Sequence, residues 1–126
     1  MNAPISSLMN RQVHVIDMDD TVAQVEALFA REGIGWAPVL EGKRAMLGVI
    51  SAADLLQFHA RQQDAHAVKA WQLCTYKPIT VPQDALASDV ARVMVERNIH
   101  HVVVIDSTGI AGVVSSMDFV RTFAQD

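Results

Sequence analysis

Two heptapeptides hold the side chains best placed for chemistry, Gly48-Val49-Ile50-Ser51-Ala52-Ala53-Asp54 and Gly112-Val113-Val114-Ser115-Ser116-Met117-Asp118. Each sets a hydroxyl three residues ahead of a carboxylate, where an apolar β-branched run gives way to an amphipathic pattern. A buried strand therefore passes into a helix at the serine. Ser is a favoured N-cap and Asp suits the first helical turn, so capping alone accounts for one such motif. The same geometry also fits a nucleotide. A hydroxyl beside a helix N-terminus meets a phosphate, and a carboxylate one turn along accepts hydrogen bonds from sugar hydroxyls. A single copy is a weak signal, and repetition in matching context raises it.

The elements that must position these residues also occur twice. In the first copy, Pro4 to Met9 reads as a short lead-in helix and Val13-His14-Val15-Ile16 as a strand. Asp19-Asp20-Thr21 caps a helix with the stripe Val22, Val25, Leu28 and Phe29, which Gly33 ends. Trp36 to Leu40 and Met46 to Ser51 form a hairpin about Glu41-Gly42-Lys43-Arg44, and a helix with Leu55, Leu56 and Phe58 follows. The polar stretch Arg61 to His66 marks the boundary and, lacking Gly and Pro, is open to reading as continuous helix. The order then starts again. Ala67 to Cys74 is a second lead-in helix, Ile79-Thr80-Val81 a strand, and Gln83-Asp84 the cap of a helix burying Leu86, Val90, Val93 and Met94. Asn98 stands where Gly33 stood; His101 to Ile105, the turn Asp106-Ser107-Thr108-Gly109, Ile110 to Ser115 and a final helix with Phe119, Val120 and Phe123 complete the copy. The fold class is α/β (α+β): β-α-β-β-α repeats over 1–62 and 63–126, related by a pseudo-twofold axis with sheets packed together and helices outside.

Composition narrows the function. The chain has 126 residues, 51% of them hydrophobic, a net charge of -4 and a pI near 5.6, so the basic footprint of a nucleic-acid binder is missing. Cys74 is the single cysteine and reads as a buried hydrophobe in a reducing compartment. No signal peptide or membrane-length apolar run is present, which predicts a soluble, cytoplasmic protein without membrane partners. No catalytic residue emerges, because neither serine has a His nearby in sequence or a nucleophile-elbow signature. No metal site emerges either, since His100 and His101 are adjacent strand residues that point to opposite faces. Arg121 reads as a solvated residue or an ion pair with Asp118. Trp36, at a strand start, suits either stacking on a planar ligand ring or core filling. The apolar helices offer more surface than one small core consumes, which predicts a homodimer.

The doubled Gly-h-h-Ser-x-x-Asp ending, together with Asn98-Ile99-His100-His101-Val102-Val103-Val104-Ile105-Asp106 and its counterpart Gly33-Ile34-Gly35-Trp36-Ala37-Pro38-Val39-Leu40, resembles a tandem pair of cystathionine β-synthase (CBS) domains, a Bateman module. The resemblance covers essentially the whole chain. It implies a regulatory module rather than an enzyme, binding an adenine nucleotide (AMP, ADP or ATP) in clefts between repeats and signalling to an effector protein, with no required cofactor. The family's dimers form a flat disc of four repeats. By position, Ser51 and Ser115 would face phosphate and Asp54 and Asp118 ribose. The segment from Val13 to Val15 and Trp36, Ala37 and Pro38 would line one adenine pocket, and the segments from Ile79 through Thr80 to Val81 and from His101 through Val102 to Val103 the other. The repeats differ in that Val103 replaces Pro38 and the first has no hydroxyl matching Thr80. With Thr80, Ser116 and His101 as added donors, the second repeat is expected to be the better nucleotide site. The reading from another class is a structural dimerisation module without a physiological nucleotide.

Overall fold

In the computed structural model of the protein, the described residues are 2–42, 45–76 and 78–125. They form two compact units that do not follow chain order: His14–Pro78 is one, and Met1–Val13 joined to Ile79–Asp126 is the other.

In the unit His14–Pro78 the order is β1 (Ile16–Asp17), α1 (Val22–Glu32), β2 (Trp36–Glu41), β3 (Ala45–Ser51), α2 (Ala52–Ala60), α3 (Ala70–Leu73) and β4 (Thr75–Tyr76). The strands lie side by side as β1-β2-β3-β4, with β1 parallel to β2 and the other pairs antiparallel. Thr21 starts α1 through a capping box: the Gln24 N–H donates to Thr21 Oγ1 at 3.2 Å and the Thr21 N–H to Gln24 Oε1 at 2.8 Å. Gly33 ends it at φ 63°, where a side chain would be strained. Val22, Val25 and Phe29 pack beneath the sheet against Ala37, Val39 and Ile50, and α2 adds Leu55 and Phe58.

Several local expectations need correction here. The strand expected over residues 13–16 is confined to Ile16–Asp17, because only these find partners, opposite Val39 and Leu40 of β2. Helix does not continue through residues 61–66: α2 stops at Ala60 and Gln62 turns the chain at φ 56°. The second lead-in helix is a single turn, α3, and it feeds β4, a strand too short for any periodicity to announce. In the β2–β3 turn Gly42 has φ 58°, while Lys43 and Arg44 lie outside the described residues.

The other unit holds a 3₁₀ turn (Ile5–Ser7), β5 (Thr80–Pro82), α4 (Ala87–Glu96), β6 (His101–Asp106), β7 (Gly109–Ser115) and α5 (Ser116–Ala124). Its sheet is β5-β6-β7, parallel then antiparallel, and β6–β7 shifts register between Val104 and Ile105 as β2–β3 does between Val39 and Leu40. The lead-in is a 3₁₀ turn rather than an α-helix, and β5 lies one residue later than expected. Gln83 and Asp84 do not cap α4. They lie in a turn closed by the Ala85 N–H on the Pro82 carbonyl, and the N-cap is Leu86, which has no side-chain acceptor. That start moves the buried stripe to Ala87, Val90 and Met94, leaving Leu86 42% exposed and Val93 half-buried. Asn98 takes φ 52° in Gly33's place, and the bond from Ile99 N–H to the Met94 carbonyl repeats that from Ile34 to Phe29. Ile5 and Met9 enter this core beside Val102, Val104, Val114 and Phe119.

Each sheet is edged by a lead-in. Gly48 of β3 pairs with Tyr76 of β4, and Asn10 exchanges backbone hydrogen bonds of 2.9 and 3.0 Å with Val113 of β7. A Cβ on Gly48 would run into the Thr75 carbonyl oxygen and stand 3.0 Å from Cys74 Sγ. On Gly112 it would stand 2.8 Å from the Asn10 carbonyl oxygen and 2.7 Å from Met9 Sδ.

Candidate functional site

The serine and aspartate of each repeat meet at a strand-to-helix junction. The Ser51 N–H and hydroxyl both donate to Asp54 Oδ2, at 2.8 and 3.0 Å, and the Asp54 N–H donates back to Ser51 Oγ at 3.3 Å. In the second repeat the Ser115 N–H and hydroxyl donate to Asp118 Oδ2 at 2.7 and 3.2 Å. Both are capping boxes, and all four residues are half-buried. The hydroxyl spends its only proton on the carboxylate, so it presents lone pairs outward and must rotate before donating to a phosphate. At Asp118 the second oxygen, Oδ1, accepts from Arg121 at 3.2 Å, which is the ion pair that helical spacing allowed.

Register sets what stands beside each pair. Trp36 lies opposite Ser51 and His101 opposite Ser115, at matching positions on β2 and β6. Both side chains are half-buried. Ala37 and Val102 are fully buried in the cores of their units, so the structure does not open them to a ligand. Pro38 is buried too, on the sheet face opposite Ala37. Val13 is half-buried just ahead of β1, Ile79 packs against the core and accepts the Val103 N–H at 3.2 Å, and Thr80 is exposed. Sequence reasoning missed the partnership of His100 with Ser116: the Ser116 N–H donates to the His100 carbonyl at 2.9 Å, and Ser116 Oγ lies 3.4 Å from His100 Nδ1. The matching bond from Ala52 to Gly35 shows that aligning the repeats would have exposed it.

Burial, and then the neighbouring His100 charge, holds the His101 pKa below its ordinary 6.5, with Asp118 pulling upward. Burial pushes the Cys74 thiol up, away from reactivity. Among the described residues no group of three His, Cys, Asp or Glu is placed to hold a metal, and no helix is long and apolar enough to cross a membrane.

Comparison with known proteins agrees with this architecture. The CBS domain family model matches twice, over residues 5–61 and 69–125, and the chain belongs to that family. Inosine-5'-monophosphate dehydrogenase of Mycobacterium tuberculosis (strain ATCC 25618 / H37Rv) is 32% identical over 106 residues, covering 82% of this chain and 19% of that protein. The chain thus spans about a fifth of the length of that curated relative. Among solved structures, the CBS domain pair of protein MJ0100, in complex with 5-methylthioadenosine and S-adenosyl-L-methionine, superposes with a TM-score of 0.88 at 19% identity, covering 99% of this chain and 98% of that one. CBSX2 in complex with AMP superposes with a TM-score of 0.83 at 22% identity, covering 98% and 97%.

Proposed function

We propose that this CBS pair is a regulatory sensor that binds an adenosine-containing ligand of the AMP, ADP or ATP class, works in the cytoplasm as a homodimer, and signals to an effector protein without catalysing a reaction itself. The observation that carries the reading is the doubled serine–aspartate frame, in which the serine N–H and hydroxyl donate to the aspartate carboxylate in both repeats. Ser51 and Ser115 serve the phosphate and Asp54 and Asp118 the ribose. Val13, Trp36 and Pro38 in one repeat, and Ile79 and Thr80 in the other, flank the base, while His101, paired across the ladder with Ser115, serves the phosphate. That two structurally similar CBS pairs are in complex with adenosine compounds supports the ligand class.

The test is calorimetric titration of AMP, ADP and ATP into the native protein, Asp118→Ala and Asp54→Ala, alongside mass spectrometry for co-purified nucleotide. A charge-assisted hydrogen bond is worth roughly 1.5–3 kcal/mol, so losing the carboxylate weakens binding by about tenfold or more. Asp118→Ala is expected to cost more than Asp54→Ala. Asp118→Asn, which keeps a side-chain oxygen for the cap, separates loss of charge from loss of the capping box. Absence of both a thermal shift and co-purified nucleotide favours the structural dimerisation module. One observation speaks for that second reading: capping already satisfies both Ser–Asp pairs.

The homodimer rests on apolar side chains left outward. Of the stripes expected to supply them, Val22, Val25, Phe29, Val90 and Met94 are consumed by the cores, Leu28 and Val93 are half-buried, and Leu86 stays 42% exposed. Exposed apolar residues besides Leu86 include Leu56 on α2, Val95 on α4, and Met117, Val120 and Phe123 on α5. A groove of about 210 Å³ between α4 and α5 includes Val95, Phe119 and Phe123, and one of about 450 Å³ between α1 and α2 includes Phe29, Leu55 and Leu56. Light scattering reporting a monomer at micromolar concentration overturns the dimer.

A further inference from the structure

The two Ser–Asp frames share a backbone geometry but differ in the chemistry set around them. Around Ser51 and Asp54 the matching positions are Gly35, Trp36, Ala52 and Gln57. Around Ser115 and Asp118 they are His100, His101, Ser116 and Arg121. One frame therefore has an aromatic ring and no cationic side chain at these positions, while the other has two imidazoles and a guanidinium.

These groups are held together by contacts within a single compact unit. Ser116 Oγ lies 3.4 Å from His100 Nδ1, Arg121 reaches Asp118 Oδ1 at 3.2 Å, and His101 sits across the ladder from Ser115. The charged groups acting on His101 are His100 next to it and Asp118 on α5, the latter already paired with Arg121. Its neighbours in the sheet, β5 (Thr80–Pro82) and β7 (Gly109–Ser115), carry no ionisable side chain.

Resting on the ligand class proposed above, we propose that the second-repeat frame selects a phosphate-bearing ligand over its unphosphorylated nucleoside and takes up a proton at His101 on binding it. The first-repeat frame, with no imidazole at the matching positions, binds without proton uptake. The cause is mutual electrostatics. In the free protein burial and the His100 charge keep His101 toward its neutral form at neutral pH. A phosphate close by supplies the opposite charge that favours the imidazolium. Proton uptake on binding requires affinity to fall as pH rises.

The ligand's own chemistry runs the other way, which makes the sign diagnostic. The phosphate of AMP loses its second proton near pH 6, so its ionisation alone would strengthen binding to a cationic site as pH rises. The proposed histidine uptake weakens binding over the same interval.

The experiment is calorimetry on the full chain with AMP and with adenosine, from about pH 6 to about pH 8, in two buffers of different ionisation enthalpy. For AMP the affinity is expected to fall with pH, by at most about tenfold per pH unit for each proton taken up, with a buffer-dependent heat to match. For adenosine it is expected to stay level. His101→Gln, confirmed as folded by thermal melting, should flatten the AMP slope. An AMP affinity that is level or rises with pH in the native protein overturns the inference, as does an unchanged slope in the variant. If adenosine and AMP bind with the same pH-independent affinity, the sensor reading stands and this inference alone fails. If neither binds, both fall.

Discussion

At the scale of single residues, the close approaches at Gly48 and Gly112 set what the sheets tolerate. At Gly48 the obstacle to a Cβ is backbone, the Thr75 carbonyl. At Gly112 it is partly the thioether of Met9, which has rotamers to spare, and partly the Asn10 carbonyl. Gly48→Ala is therefore expected to destabilise more than Gly112→Ala, with overpacking costs of about 1–3 kcal/mol and the branched Gly112→Val at the upper end. Urea unfolding of the three variants checks the order. His101 carries a second expectation. Its folded pKa is below the ordinary 6.5, so the unfolded chain binds more protons between those two values, and stability falls as pH drops below about 6.5. His101→Gln should remove that part of the acid-side loss in melting temperature.

At the scale of elements, helix ends separate what is well made from what is not. α1, α2 and α5 each begin with a capping box, whereas α4 begins at Leu86 with no side-chain acceptor. Leu86 has extended backbone angles (φ -70°, ψ 136°) and a side chain 42% exposed, so the position accepts a polar cap without loss of core. Leu86→Asp is expected to stabilise the protein by about 0.5–1 kcal/mol, and Thr21→Ala to destabilise it by about 1 kcal/mol, both measurable by thermal denaturation. At the other end of α4, Asn98 at φ 52° makes Asn98→Gly near neutral and Asn98→Ala destabilising by about 1 kcal/mol.

For the molecule as a whole, the division into units predicts long-range consequences of local damage. Ile5 is fully buried, its N–H donates to the Ala85 carbonyl at 2.7 Å, and it shares a core with Val102, Val104 and Phe119. Ile5→Ala is therefore expected to cost about 2–5 kcal/mol. Hydrogen exchange should report the loss in α4, β6 and β7, and far less in α1, β2 and β3. Equal loss of protection in α1 and β2 would contradict the assignment of the first residues to the unit that starts again at Ile79.

What the amino-acid sequence determined by itself is whatever closes over a few residues. A serine and an aspartate three apart complete a capping box within one helical turn, so both frames were legible from spacing alone, as were α1, the β2–β3 and β6–β7 hairpins and the terminators Gly33 and Asn98. Membership of the CBS family was legible for the same reason, since its motifs are these local signatures written twice. Tertiary structure alone decided which lead-in edges which sheet. The segment Cys74 to Tyr76 closes over Gly48, and Met9 with Asn10 closes over Gly112, although in chain order each lead-in heads the other repeat. No local pattern encodes that exchange, because such short segments have almost no periodicity and owe their conformation to the edge they cover. The outward apolar faces of α4 and α5 were likewise settled only by packing. Starting α4 at Ala87 spent Val90 and Met94 on the core and left Val95, with Val120 and Phe123 of α5, outside it.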